Sequence, residues 1–461
     1  MDEKIFLSFW SGVGSVTGAN FLLEHPRLKI LVDCGLVQDS HNSFEKNHSD
    51  FGYDPASIDF LFVTHAHIDH IGRIPKLVHD GFRGTIYSTP ETKDITVLML
   101  QDAYKVMEVE NREKGTMLLY DKEDIGNALN LWKSIHYHEK MELPEGFSVY
   151  PKDAGHILGS AMYEFSFGGN LPAGGQRKIV FTGDLGNSPT PLLRDTEAVK
   201  DANYMVMESV YGDRNHESKD DRDKKFAEVL KRTIARGGAI IIPAFSLERT
   251  QVILYELNKL VESGQIPSIP VFLDSPLAIK VTAIYERVSK YFNEGVKKEI
   301  AGGDDIFEFP RLKFSLKSQD SLGIDRVPNP KIILAGSGMS TGGRVMHHEV
   351  TYLPDPQSTI CLMGYQSLGT LGRALQDGAK EVQIYGNTVP VRAKVEMIEG
   401  YSSHKDSDHL VEFVSETKDS LKQVFVAMGE PKASLFLVQR LRDYLGVNAI
   451  MPERGKRYEL N

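Results

Sequence analysis

Cysteine is nearly absent from the chain: Cys34 and Cys361 are the two in 461 residues. A disulfide framework is therefore excluded, a reducing compartment is the natural assignment, and any metal must be held by histidines and carboxylates. Long hydrophobic runs are missing too. No segment approaches ~18 uninterrupted apolar residues, and the opening MDEKIFLSFW lacks the basic start and apolar centre of a secretion signal. A cytoplasmic protein without a membrane partner is expected. Positive charge is in deficit, with 53 Lys and Arg against 63 Asp and Glu, a net charge of -10. That balance disfavours a protein that coats nucleic acid nonspecifically. A nuclease stays open, because a bound divalent cation is the largest local charge in its site. Repeats and low-complexity linkers are also lacking.

What is present, 41% hydrophobic and 25% charged residues, is the composition of a globular chain of two or three domains. The first two hundred residues read as short apolar strands ending in potential ligands or glycine turns: LKILVDCG, DFLFVTHAH, FSVYPKDAGH and KIVFTGDLG. TKDITVLMLQDAYKVMEVENREK and KEDIGNALNLWKSIHYHEK have helical apolar spacing and are expected to cover the sheet. From about Tyr204 the rhythm changes to strand followed by helix, as in GAIIIPAFSLERTQVILYELNKLVESG and KIILAGSGMSTGGRVMHHEV, which implies a parallel sheet with helices on its faces.

Three histidines and an aspartate fall within THAHIDH. Two residues apart on extended chain, His65 and His67 put both imidazoles on one side, at a distance suited to one zinc. Asp69 and His70 begin the next helix and point back to the same mouth. His156 in DAGHILGS and Asp184 in FTGDLG follow in the order that would complete a three-His, one-Asp site and let Asp184 bridge to a second ion.

This ordered set resembles the metallo-β-lactamase superfamily. The resemblance implies an αββα sandwich, with Asp33 in LVDCG orienting ligands. A large insertion separates MESVYGDR, with Glu208, from GYSSHKDSDHL, with His404, and carries PAFSLERTQ, FLDSPLA, GSGMSTGGR and GYQSLGTLGRAL. In order and spacing these motifs resemble the β-CASP module of nucleic-acid nucleases, the group containing the cleavage and polyadenylation endonuclease and its bacterial and archaeal relatives. The implied organisation is α/β: a core from residues 1–209 and 398–461, with an inserted α/β domain, residues 210–397, built on a mainly parallel sheet. The implied activity is a zinc-dependent ribonuclease in which a metal-activated hydroxide attacks the phosphodiester in the cleft between the domains. Asp69, His404 as general acid and Glu208 tuning it are the catalytic residues so implied. The partner is RNA, single-stranded by preference, and a homodimer is in keeping with bacterial relatives. No RNA-binding extension of the KH type is expected before the core. A glycine-rich turn opening a helix favours phosphate, so Ser337, Gly338 and Arg344, with Gly369 and Arg373 of QSLGTLGR, are candidate phosphate contacts.

The pattern breaks at FVAMGEPKAS, where Met428 stands in place of the histidine that RNA-cleaving relatives use as the remaining ligand of the second ion. A thioether is a poor zinc ligand beside carboxylates. One firm zinc site and one weakened site, with manganese as an alternative ion, are expected. DNA cleavage, or a catalytically weak RNA-binding partner subunit, are the alternatives this leaves open; a small-molecule hydrolase is disfavoured by the insertion. Glu248 stands where relatives commonly have glycine, and its direction is unreadable from sequence. His347, His348 and His409 are read as surface helix residues, His136 and His138 as no metal pair, and Asp220, Asp221 and Asp223 as a solvated helix face.

Overall fold

Runs such as FLSFWS and AMYEFSF alternate apolar residues at the period of a strand, and they pair as such in a computed structural model describing residues 4–38, 42–168, 176–367 and 369–461, without the side chain of Glu399. The described chain divides into two compact units. One comprises residues 1–190, 194–215 and 404–461; the other comprises 191–193 and 216–403. No helix among the described residues is long and apolar enough to cross a membrane.

The first unit holds two seven-stranded sheets. In one, Arg457–Glu459, Phe6–Ser11, Asn20–His25 and Leu28–Val32 run antiparallel, and Phe60–Phe62, Thr85–Ser88 and Trp132–Ser134 continue in parallel. In the other, Ala449–Ile450, Gln423–Val426, Tyr204–Met207 and Arg177–Phe181 are parallel, followed by antiparallel Ala161–Phe167, Ser148–Asp153 and Met141–Glu142. Both chain ends thus build this unit. Between the sheets lies one aromatic core containing Phe9, Phe21, Phe62, Phe165, Phe181 and Phe425. Phe165 meets Phe62 edge-on at 5.1 Å and Phe181 at 5.8 Å, so truncation to alanine there costs about 3–5 kcal/mol. Helices cover the outer faces. Ile74, Leu77 and Leu100 pack on the first sheet, and Leu410, Leu437 and Leu441 on the second. The result is the expected αββα sandwich.

The long covering helix Pro90–Lys114 starts where Thr89 accepts the Thr92 N–H and stops at Gly115, whose φ of +67° ends the turn. The second predicted helix is shorter than its spacing suggests. It ends at Asn130, and Trp132–Ser134 becomes an edge strand, because the Trp132 ring is buried with its indole N–H on Ser88 Oγ at 2.8 Å.

In the second unit a six-stranded parallel sheet has the order Leu312–Phe314, Val271–Asp274, Lys331–Ala335, Ala239–Pro243, Thr359–Leu362 and Lys394–Met397. Its four central strands are fully buried, as strands covered on both faces must be, while the edge strands Leu312–Phe314 and Lys394–Met397 are partly exposed. A short antiparallel pair, Glu381–Ile384 and Asn387–Pro390, stands apart from it.

Candidate metal centre

Strand Phe60–Phe62 ends just before the histidine motif, so His65 and His67 sit on the extended loop leading to the short helix Ile68–Ile71. That helix is clamped by backbone. Ala19 N–H donates to Asp69 O at 2.9 Å and Cys34 N–H to His70 O at 2.8 Å. The approach is so close that a Cβ on Gly35 would lie 1.5 Å from Asp69 O, so only glycine fits. His156 follows strand Ser148–Asp153, and Asp184 follows strand Arg177–Phe181 through Gly183, where a Cβ would meet Thr64 at 2.7 Å.

Four ligand atoms converge. His65 Nε2 is 3.1 Å from His67 Nδ1, which is 3.3 Å from His156 Nε2; Asp184 Oδ2 lies 3.3 Å from His65 Nε2 and 3.5 Å from His156 Nε2. All four lie within 4.8 Å of one another. Tetrahedral zinc with ligands at about 2.0–2.1 Å has edges of about 3.3 Å, so the donor set fits one such ion. Burial pushes the His67 and His156 imidazoles well below the usual range, which keeps them neutral as ligands must be. Burial by itself would raise Asp184, yet the His70 and His65 rings beside it hold its carboxyl well below the usual range.

A second cluster shares Asp184. His70 Nε2 lies 3.5 Å from Asp184 Oδ1 and 3.7 Å from Asp69 Oδ2. Both His70 Nε2 and Asp184 Oδ1 are buried without a hydrogen-bond partner, a costly state unless a cation satisfies them. The other edge of His70 is fixed: Nδ1 pairs with Asp33 Oδ2 at 2.7 Å, while Asp33 also accepts the Thr64 N–H at 2.7 Å and hydroxyl at 2.8 Å. Asp33 orients the ring and aims Nε2 at the cluster.

Glu208 lies just past strand Tyr204–Met207 and accepts the Leu185 N–H at 2.6 Å, tying it to the Asp184 loop. His404 Nδ1 is 3.1 Å from both Glu208 oxygens and 4.0 Å from Asp184 Oδ2. Burial opposes charge on His404, but the Glu208 carboxylate outweighs it and pushes the imidazole up to about 9. Asp184, Glu208 and His404 also form a compact group of possible ligand atoms, whereas the sequence reading gave Glu208 and His404 only proton-transfer roles.

Met428 has φ +45° and is 3% exposed. It belongs to the core between the sheets, its N–H on Gly12 O at 2.8 Å, its carbonyl accepting from Ser209 N at 3.1 Å. With Asp33, Thr64, His70 and Glu208 it lines a cavity of about 10 Å³.

The candidate phosphate contacts lie in the second unit. Ser337 Oγ accepts the Thr341 N–H at 3.2 Å, and Gly338 O accepts from Gln366 Nε2 at 3.2 Å, so the glycine-rich turn is fixed from two sides. Arg344, expected to face a phosphate, is bonded within its own unit. Its guanidinium donates to Asp274 Oδ1 at 2.7 Å and to the carbonyls of Ser315 and Leu316 at 2.7 and 3.0 Å, so its donor fork is committed within the unit. Arg373 pairs with Asp377 at 2.9 Å on the surface, and Gly369 has φ +83°. His348 is no surface residue: it is fully buried with Nε2 on Asp274 Oδ2 at 2.7 Å. His347 lies 3.2 Å from Asp325, His409 bonds Asp406 at 2.7 Å, and His138 bonds Glu197 at 2.8 Å. Glu248 turns inward to Tyr285, whose hydroxyl donates to its Oε2 at 2.5 Å, and burial pushes its carboxyl up to about 8.

The chain matches three family models: a metallo-beta-lactamase superfamily domain over residues 22–171, a Beta-Casp domain over 250–375, and a Zn-dependent metallo-hydrolase RNA specificity domain over 388–452. It is 35% identical to Ribonuclease TTHA0252 of Thermus thermophilus over 87% of this chain and 88% of that one. To an RNase J-like protein of Methanocaldococcus jannaschii it is 30% identical, covering 98% and 99% of the two chains. To the transcription termination factor FttA of Methanosarcina mazei it is 32% identical, over 95% and 68%. A crystal structure of a protein of unknown function from Enterococcus faecalis V583 shares the fold, with a TM-score of 0.56 at 13% identity over 99% of this chain and 100% of that one. The chain belongs to the metallo-β-lactamase-fold β-CASP family of metal-dependent nucleic-acid hydrolases.

Proposed function

We propose that the protein is a zinc-dependent ribonuclease. The observation that carries this reading is the four-atom donor set, with four of its six edges at 3.1–3.5 Å and all within 4.8 Å; the ribonuclease names of two of its relatives support RNA as the substrate. His65, His67, His156 and Asp184 would hold the firm ion. Asp69, His70 and Asp184 would hold a second, weaker one. Asp184 would belong to both sets, since its Oδ2 lies near His65 and His156 and its Oδ1 near His70. Cations held there would supply Lewis-acid stabilisation of phosphoryl charge and lower the pKa of bound water to about 7.

The protein's own groups do the rest. Glu208 grips His404 at Nδ1, which fixes the ring and keeps it protonated, and Nε2 then presents the proton to the leaving 3′-oxygen, giving a 5′-phosphate product. In the second unit, the hydroxyl of Ser337 and the turn around Gly338 contact substrate phosphates. Changing His404 to alanine should leave metal content unchanged and lower the cleavage rate about 10²–10⁴-fold, read by metal analysis and by cleavage of labelled RNA on the same samples. An unchanged rate removes His404 from the mechanism; loss of metal makes it a ligand instead.

A further inference from the structure

Three adjacent strands of the parallel sheet, Val271–Asp274, Lys331–Ala335 and Ala239–Pro243, end side by side. Ligands of open parallel sheets gather at such carboxyl ends. Here the three ends carry Ser275, the Ser337–Gly338 turn and the Phe245–Ser246 pair. Phe245 is out of character for its place: it is a large aromatic, 41% exposed, directly after the fully buried strand AIIIP and Ala244.

Its position is rigid. Ala244 N–H donates to Ala335 O at 3.0 Å, and the Phe245 carbonyl accepts both the Thr250 hydroxyl at 2.7 Å and the Thr250 N–H at 3.2 Å. One ring edge seats on Gly338, where a Cβ would come within 2.7 Å of Cδ2 and 2.9 Å of Cε2. Any residue but glycine at 338 would push the ring away. Gln366 in turn anchors Gly338 and Gly364 through their carbonyls at 3.2 and 3.1 Å. The rim beside the ring is hydroxylic, with Ser246 and Ser275 bonded to each other at 3.2 Å. Glu248, two residues further on from Ser246, is turned away into the interior toward Tyr285 and puts no carboxylate on the rim. A preorganised aromatic face next to a neutral, hydroxyl-bearing glycine turn is the arrangement that holds a base and its adjoining phosphate together, because every base has a π-face and stacks without regard to sequence.

We infer that Phe245 is a stacking platform for one nucleobase of single-stranded RNA, adjoining the phosphate contacts of the Ser337–Gly338 turn. The inference rests on the ribonuclease reading above and adds to it a base-binding residue that is neither metal ligand nor proton donor.

The test uses the full chain in the His404→Ala background, which suppresses turnover. A fluorescent single-stranded oligoribonucleotide is titrated by anisotropy against the parent, Phe245→Leu and Phe245→Trp, with thermal melting as a check that each variant is folded. Leucine preserves apolar packing on Gly338 but has no π-face, so affinity should fall about five- to hundredfold, while tryptophan should retain it and show quenching of the new indole by RNA. An abasic residue walked along the oligonucleotide should weaken the parent at one position and have little effect there on Phe245→Leu. Equal affinity of Phe245→Leu and parent, or no abasic position coupled to Phe245, overturns the platform while leaving the ribonuclease reading intact. A parent that binds no RNA overturns both.

Discussion

His67 presents Nδ1 to the proposed centre whereas His65 and His156 present Nε2, so a shorter or longer side chain at any of the three misplaces the donor. His67→Ala is expected to lose tight zinc and cleavage together; full metal content in the variant would contradict the assigned ligand set. Asp33 acts through His70 and Thr64, and outer partners of this kind are worth about 10–100-fold in metal affinity. Asp33→Asn should weaken the second ion by about that factor in calorimetric titration while the first stays bound. Met428 lines the same cavity as His70 and Asp33, so Met428→His brings an imidazole toward the His70 side of the centre. Its expected effect is at least about tenfold tighter binding of the second ion; metal content fixed at one equivalent would refute the alignment of Met428 with the missing ligand.

Helix Arg249–Glu262 begins at Glu248, whose φ of +61° and ψ of −55° are a strained backbone for any residue but glycine. That turn points the side chain inward, which the sequence did not reveal because a helical or extended backbone there would have pointed it elsewhere. The buried carboxyl is raised from 4.5 to about 8. In the folded state it therefore keeps its proton between those values while the unfolded chain has lost it, so this group lowers stability progressively as pH rises from about 4.5 to 8. Glu248→Gln should flatten that dependence, melting several degrees above the wild type at pH ~8 and close to it at pH ~5. Coincident melting at both values would show that Glu248 is ionised in the fold. Other elements were legible for the opposite reason. His65, His67, Asp69 and His70 share one strand-end loop and the helix after it, so their spacing alone places them together. Asp274 and His348 are 74 residues apart and meet only when the strand ending at Asp274 and the helix Val345–Tyr352 pack. Nothing local announces that pair, nor the bond from Arg344 to Asp274.

At the scale of the whole chain, the alternation of strand and helix after Tyr204 and the ligand-bearing strand ends before it announced both architectures, while the order of strands within each sheet came only from the structure. Two units with separate cores should unfold in distinguishable steps, and only the unit containing residues 1–190, 194–215 and 404–461 carries the proposed metal ligands. An ion at about a thousand times its dissociation constant stabilises the folded state by about 4 kcal/mol, so chelation should lower one calorimetric transition by several degrees and leave the other in place. Equal shifts of both transitions would contradict a centre confined to one unit. One measurement tests a zinc-dependent ribonuclease most directly: metal content determined alongside cleavage of matched 5′-labelled RNA and DNA oligonucleotides, with zinc- and manganese-supplemented protein and His67→Ala as the blank. The expected result is at least one firmly held ion and metal-dependent cleavage of RNA in preference to DNA, absent from the blank. Preferential cleavage of DNA, or a fully metallated protein that binds RNA and yields no product, would contradict it.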